Sequence, residues 1–344
     1  METSPCQTCK TAPDVVHQTK QRHNCIQHAC QIFCDYLEKT IFLTLPTDKG
    51  VRWRRTEKQL YKRTQELPMQ FKYTRKYTGP IRLVVFDWAG TTVDFGCQAP
   101  IAAFVECFKK KGIDLSKEQA RGPMGMEKRD HIKAVFALAE VSARWQKIYG
   151  KPVTEQDIDT IYEDFATQLM KVLPAYSQIL PGVVEATTIL RGMGIKIAAT
   201  TGYFREAAET VAGSAAQQGY IPDSALSSSE VENGRPAPWL IYKAMENLNI
   251  YPAAAVINVG DTVVDIESGL NAGTWSIGVA ATGNETGLSE EELTALEQDK
   301  KEALVLSARN KLARAGAHFV IETMAELPGI VQYINTLQQK GETP

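Results

Sequence analysis

Phe86-Asp87-Trp88-Ala89-Gly90-Thr91-Thr92-Val93-Asp94 follows a short apolar run, Ile81-Arg82-Leu83-Val84-Val85-Phe86. The run is short, β-branched and continuous, so it reads as a parallel strand buried on both faces. Such a strand delivers the Asp87 carboxylate at its C-terminal edge, where open α/β sheets bind ligands. A turn rich in Gly and Thr comes next, and its free N–H groups suit a phosphoryl group under attack by the carboxylate.

Outward from this stretch the chain alternates strand and helix. Strand-like runs recur at 195–200, 255–259, 274–279 and 318–321. Between them, helices are predicted from Pro181-Gly182 to Gly192, from Tyr203 to Gly219, from Pro238, and over Val263 to Asn271. A long helix is predicted from Ser289, opened by the capping box Ser289-x-x-Glu292. This order specifies an α/β fold with a doubly wound parallel sheet.

Between the first two strands only helical patterns occur. Pro100 to Lys111 closes at Gly112, and Ser116-x-x-Gln119 caps a short piece ending at Gly122-Pro123. One longer helix is predicted from Met126 to Tyr149, and Thr154-x-x-Asp157 opens another that ends near Leu173-Pro174. The resulting division is a sheet-bearing core over 79–98 and 180–344 and an all-helical cap over 99–179, with hinges near Cys97 to Pro100 and Ser177 to Pro181. Such a cap excludes water and completes a site on closing.

Residues 1–78 differ from the rest. Residues 1–80 carry 14 Lys+Arg against 7 Asp+Glu, whereas 81–344 carry 24 against 33. The basic head also holds Cys6, Cys9, Cys25, Cys30 and Cys34 with His17, His23 and His28. Cys6-x-x-Cys9 with Cys25 or His28 and Cys30 has zinc-ligand types. A poorly ordered extension that carries thiols fits as well, and its basic charge also leaves organelle targeting open. The formal net charge of −2 gives no sign of a nucleic-acid partner. No apolar run approaches the ~20 residues of a membrane span, so the expectation is a soluble, cytoplasmic protein.

Further chemistry gathers at the strand ends. Thr200-Thr201-Gly202-Tyr203 offers a hydroxyl and N–H groups to a phosphate oxygen, and also reads as plain turn chemistry. Gly234-Arg235-Pro236 places a guanidinium, the better fork for phosphoryl oxygens, in a loop before a helix. Gly260-Asp261-Thr262-x-x-Asp265 offers two acids for Mg²⁺ beside Asp87, or a helix cap by Asp261. In the cap, Met124-Gly125-Met126-Glu127-Lys128-Arg129-Asp130-His131 puts Lys128 and His131 on one helix face. The helix dipole, a desolvating cap and the Arg129 charge lower the Lys128 pKa, against Glu127. A carboxylate nucleophile and a neutral amine make sense together if the leaving atom is carbon. An imine on an adjacent aldehyde accepts the C–P bond electrons as an enamine.

The opening stretch resembles motif I of the haloacid dehalogenase superfamily, Asp-x-Asp-Gly-Thr, with Ala89 in place of the second Asp. In the superfamily's phosphatases that Asp protonates the departing oxygen. Phe-Asp-Trp-Ala-Gly-Thr-Thr-Val-Asp, Gly-Cys-x-Ala-Pro, Pro-Met-Gly-x-x-Lys-x-Asp-His, Thr-Thr-Gly-Tyr, Gly-Arg-Pro-x-Pro-Trp and Val-Gly-Asp-Thr-Val-x-Asp together resemble the phosphonoacetaldehyde hydrolase (phosphonatase) family over 81–335. The resemblance implies a Rossmannoid core and hydrolysis of phosphonoacetaldehyde to acetaldehyde and phosphate, in 2-aminoethylphosphonate degradation. It implies Asp87 as nucleophile and Lys128 as imine former. Mg²⁺ would be held by Asp87, Asp261 and the carbonyl of Ala89, with Asp265 and Thr262 in support. Thr201, Gly202 and Arg235 would hold the phosphoryl group. Met124, Gly125, Cys97, His131 and Tyr203 would surround the aldehyde or move protons. It also implies a homodimer through the cap. An ordinary phosphatase or phosphomutase remains an alternative that Ala89 opposes, and so does a regulatory protein with an idle enzyme body.

Overall fold

A computed structural model describes residues 76–344. The basic head and its Cys/His set lie outside the described residues, as do all but the last few residues of the predicted 1–78 extension. Six parallel strands form one sheet in the order β3-β2-β1-β4-β5-β6. They are β1 (Leu83–Phe86), β2 (Lys196–Thr200), β3 (Ser224–Leu226), β4 (Val256–Gly260), β5 (Trp275–Val279) and β6 (Phe319–Ile321). The strand order reverses between β1 and β4, the switch point at which such sheets bind ligands. Successive β1 residues point to opposite faces. Val84 and Phe86 join the large core cluster, while Leu83 and Val85 pack with Leu240, Ile241 and Ala244 on the other side.

After β1 come five helices of the inserted block: α1 (Gln98–Lys110), α2 (Lys117–Arg121), α3 (Lys128–Phe136), α4 (Ala139–Tyr149) and α5 (Glu155–Val172). The core helices follow as α6 (Val183–Gly192), α7 (Arg205–Gln217), α8 (Trp239–Asn247), α9 (Val263–Asn271), α10 (Glu290–Thr294), α11 (Gln298–Arg314) and α12 (Leu327–Gln339). The capping boxes read at Ser116, Thr154 and Ser289 are all formed. Helix α1 starts differently. Cys97 lies in the left-handed region at φ 52° and supplies no side-chain cap. Instead the Asp94 carboxylate accepts the Gln98 and Ala99 N–H groups at 2.9 and 3.0 Å. An acid there satisfies donors that the helix leaves open and complements its dipole.

The structure departs from the sequence reading in four places. The single helix expected over 126–149 is two, α3 and α4. Leu138 between them is extended, and the Ser142 hydroxyl donates to the Phe136 carbonyl. The bend lets Phe136 pack edge-on to Trp145, with ring centroids 5.2 Å apart. Tertiary packing here overrides a locally unbroken helical sequence. The long helix expected from Ser289 likewise ends at Thr294 and restarts at Gln298. The restart lays Val305, Ala308 and Leu312 into a separate cluster behind β5 and β6. Strand β3 escaped notice because it is three residues long and partly exposed at the sheet edge. No element was assigned after Ile321, yet α12 buries Leu327, Val331, Ile334 and Leu337.

The described body has its own sheet, its own helical cover and its own buried clusters on both faces of the sheet. A protein starting at residue 76 is therefore expected to unfold in one cooperative thermal transition, close to that of the full chain. Calorimetry on both checks this. Aggregation or loss of the transition in the shortened protein would make residues 1–75 a structural element.

Candidate active site

Parallel pairing sets three strand ends side by side. Phe86 pairs with Ala199 on β2 and with Val259 on β4. Asp87, Thr201 and Asp261 follow these strands, and all three are buried. The turn after Asp87 closes partly on itself. The N–H of Gly90 donates to Val93 O, and those of Thr91, Thr92 and Val93 donate to Trp88 O. The turn also contributes hydroxyls. Thr91 Oγ1 donates to Asp261 Oδ1 at 3.0 Å, and Thr92 Oγ1 to Asp87 O at 3.0 Å.

Arg235 is the central cation. Its Nη1 donates to Asp87 Oδ1 at 2.6 Å and lies 2.5 Å from Asp265 Oδ1. The second contact is a charge pair and not an aligned hydrogen bond, since Asp265 Oδ1 has no hydrogen-bond partner. Nη2 donates to both the carbonyl and the hydroxyl of Thr200. Asp265 Oδ2 accepts from Thr262 Oγ1 at 2.6 Å, and Thr262 caps α9 in return. The alternative reading, in which Asp261 caps this helix, is thereby excluded. Asp261 is left to the site: Oδ2 accepts the Asn284 N–H at 2.6 Å and the Cys97 thiol at 3.3 Å.

Carboxylate oxygens of Asp87, Asp261 and Asp265 all lie within 4.8 Å of one another. Burial is the main force raising the Asp87 pKa to about 6, helped by the Asp265 charge and opposed by Arg235. Burial, then Asp87 and Asp265, raise Asp261 well above the carboxylate range. Three crowded acids facing one guanidinium, with oxygen the only donor type, fit a hard divalent cation. The Cys97 sulfur touches Ala89 O at 3.2 Å as well as Asp261 Oδ2. The Cys97 thiol therefore bridges the Ala89 carbonyl and the Asp261 carboxylate.

The helical block closes this spot from above. A cavity of about 20 Å³ is lined by Asp87, Ala89, Cys97 and Thr201 from the core and by Met124 and Lys128 from the block, among others. Gly125, Gly202, Tyr203, Arg235 and Thr262 also line it. Contact is tight enough to need glycine. Gly125 adopts φ +91°, and a Cβ there would strike the Thr262 hydroxyl, while one on Gly202 would strike the Met126 carbonyl. Lys128 is the first residue of α3, behind the Glu127 carboxylate that caps it. It is 3% exposed. Its Nζ lies 3.9 Å from Met124 Sδ and 5.4 Å from the centre of the Tyr203 ring. Burial lowers the Lys128 pKa to about 8, against the Asp87 charge. The lowering cation is Arg235 and not Arg129, which is tied to Asp159 and Glu155 at 2.7 Å each.

His131 shares the Lys128 face but does not line the cavity. Its ring stacks on Phe104 at 4.1 Å, Nε2 lies 2.9 Å from the Ala120 carbonyl, and Nδ1 has no partner. Burial holds its pKa well below the ordinary value, so the ring is neutral. The Tyr203 hydroxyl is buried without a partner, and burial keeps it and the Cys97 thiol protonated. Sequence reasoning missed Thr91, Thr200 and Asn284 as partners of the charged groups. Thr91 lay inside the opening motif. Asn284 acts on Asp261 through its backbone N–H, which leaves no trace in residue type.

Comparison with known proteins places this geometry. The profile of the haloacid dehalogenase-like hydrolases matches residues 81–273. A phosphonoacetaldehyde hydrolase of Syntrophobacter fumaroxidans is 42% identical over 80% of this chain and 99% of its own length. A bifunctional phosphonoacetaldehyde hydrolase/aminoethylphosphonate transaminase of Clostridioides difficile is 44% identical over 74% of this chain and 40% of that longer protein. The crystal structure of a phosphonoacetaldehyde hydrolase-like protein from Oleispira antarctica superposes with a TM-score of 0.78 at 36% identity, covering 80% of this chain and all of that one. With its switch-point carboxylates and its helical block between β1 and β2, the chain belongs to the phosphonoacetaldehyde hydrolase family of haloacid dehalogenase-like hydrolases.

Proposed function

We propose that the protein hydrolyses phosphonoacetaldehyde to acetaldehyde and phosphate through a Lys128 imine and an aspartyl phosphate on Asp87. One observation carries this reading. A buried carboxylate and a buried amine of lowered pKa line the same cavity, and Ala89 stands beside them where an acid would serve an oxygen leaving group.

The steps follow from the residues. Neutral Lys128 adds to the aldehyde carbon, and loss of water leaves an iminium. The Asp87 carboxylate forms a bond to phosphorus as the C–P bond breaks, and that electron pair moves into the iminium to give an enamine. Protonation at carbon and hydrolysis of the imine release acetaldehyde and restore the amine. Water then cleaves the aspartyl phosphate. Arg235 and Thr201 hold phosphoryl oxygens with Gly202, while Met124, Gly125 and Cys97 wall the aldehyde. Tyr203 and His131 are proton carriers or supports near Lys128. Asp87, Asp261 and the Ala89 carbonyl would hold Mg²⁺, with Asp265 and Thr262 behind them. Bound there, the ion neutralises charge on the phosphoryl oxygens.

A cavity of about 20 Å³ holds roughly one water by this measure. The substrate is larger, so the helical block over 99–179 acts as a cap that opens to admit it and closes to dry the site. The proposal includes a cap-mediated homodimer, where Leu138, Ile148 and Tyr149 are exposed. It places the enzyme in the cytoplasm, downstream of a reaction that makes the aldehyde from an aminophosphonate. No helix among the described residues is long and apolar enough to cross a membrane.

Lys128→Arg keeps the charge but cannot form an imine, so steady-state assays should show turnover lower by about 10³-fold or more. Near-normal turnover would sink the imine. The reaction needs the neutral amine. Borohydride trapping with the aldehyde should therefore level off above pH 8 and fall about tenfold per pH unit below it.

Asp87→Asn should abolish phosphate release while mass spectrometry still finds the reduced adduct on Lys128. Asp261→Asn should raise the Mg²⁺ concentration needed for activity, with partial recovery at high metal. Wild-type phosphate release by the Asp87 variant would remove the aspartyl-phosphate step.

A further inference from the structure

Arg121, at the end of α2, joins three chain segments through one guanidinium. Nη1 donates to the Gly96 carbonyl at 2.7 Å, in the linker that enters the helical block, and to Asn284 Oδ1 at 3.3 Å. Nη2 donates to the Gly287 carbonyl at 2.7 Å. Asn284 Nδ2 returns a bond to the Arg121 carbonyl at 3.4 Å. The loop that Arg121 grips, between β5 and α10, is the one that serves the acidic cluster. The Asn284 N–H donates to Asp261 Oδ2, and Thr282 Oγ1 donates to the Gly90 carbonyl at 2.8 Å. The same loop meets the linker again, where the Gly96 N–H donates to Thr282 O at 2.8 Å and Gln98 Nε2 to Gly287 O at 3.1 Å.

We propose that Arg121 is a positioning residue which ties closure of the helical block to the orientation of Asp261, through Asn284. The residue lies on the block, and its partners Asn284 and Gly287 lie on the core. Swinging the block away withdraws the fork from both. Asn284 is 5% exposed and aligned by that grip. Its backbone N–H is then no longer pinned against Asp261 Oδ2, and that oxygen loses an aligned donor. Closure thus completes the acidic cluster as well as covering it, and an open protein holds its cation less firmly. Only a planar fork can serve two carbonyls and a carboxamide at once, so lysine is no substitute. The consequence for turnover rests on the hydrolase reading above; the consequence for metal binding and loop order does not.

The test uses the full-length protein with Arg121→Ala and Arg121→Lys. Mg²⁺ binding is measured by calorimetry, and hydrogen exchange is followed by mass spectrometry. Expected in the Ala variant are a dissociation constant raised about tenfold or more, the usual cost of losing a group that orients a metal ligand, and faster exchange in 95–99 and 281–288. Peptides of β1 and β4 should exchange as in the wild type. The Lys variant should fall between, and turnover should recover partly at high Mg²⁺. Unchanged Mg²⁺ affinity and unchanged exchange in 281–288 in the folded Ala variant would overturn the proposal, as would a wild-type protein that binds no Mg²⁺. If Arg121→Ala does not fold, Asn284→Ala carries the test, since it keeps the backbone N–H and removes the gripped carboxamide. Its affinity should fall in the same direction, and an unaltered value would also overturn the proposal. If the wild type fails to cleave phosphonoacetaldehyde while these readouts move as expected, the activity is wrong and the clamp stands.

Discussion

Three buried carboxylates share a space spanned by oxygen separations under 4.8 Å, with one guanidinium among them. Everything else at the sheet edge answers to that crowding. Like charges in a poorly solvated site cannot all stay ionised without compensation. Arg235 supplies part of it by spanning Asp87 and Asp265. Asp265 is held by Thr262, so its position is fixed by the start of α9. The uncompensated remainder falls on Asp87 and Asp261, the pair that flanks the switch point. A divalent cation, or protons in its absence, resolves it.

The same burial acts in opposite senses on the two groups that the proposed reaction needs. It raises Asp87 and lowers Lys128, so each moves toward its neutral form. Arg235 limits the first shift and the Asp87 charge the second. The Asp87 charge works against desolvation at Lys128, which holds that pKa near 8 and keeps it from falling further. An amine at that value is neutral often enough to attack and basic enough to regain a proton afterwards. In the proposed cycle, closure of the helical block is therefore an electrostatic act as much as a steric one.

Much of this was legible in the sequence because it depends on local chemistry. A β-branched run followed by an acid specifies a buried strand and a strand-end carboxylate, and two such runs converge in one parallel sheet with a third that leads into Thr201. The capping boxes at Ser116, Thr154 and Ser289 needed only their own four residues. What escaped depends on distant partners. The breaks after Phe136 and Thr294 carry no Gly or Pro; they arise from aromatic and aliphatic packing across the fold. The choice of Arg235 over Arg129 as the cation near Lys128 could not be read from adjacency. Arg129 is the sequence neighbour, but helix geometry turns it to Asp159 and Glu155. The turn after Asp87 was read for its N–H groups; those of residues 90–93 close the turn upon itself, while its hydroxyls reach the site.

Ala89 can now be given a second physical reason. Lining the same cavity as Lys128, an aspartate at this position would add another carboxylate to a site already short of positive charge. It would raise Asp87 and Asp261 further by repulsion and raise Lys128 by attraction. The amine would then be protonated at neutral pH and unable to add to an aldehyde. The general acid of an ester phosphatase and the neutral amine of an imine former are thus opposed through the field they share. In the proposed reaction the methyl group of Ala89 is the condition for Lys128 to act, and the carbon leaving group makes the missing acid unnecessary.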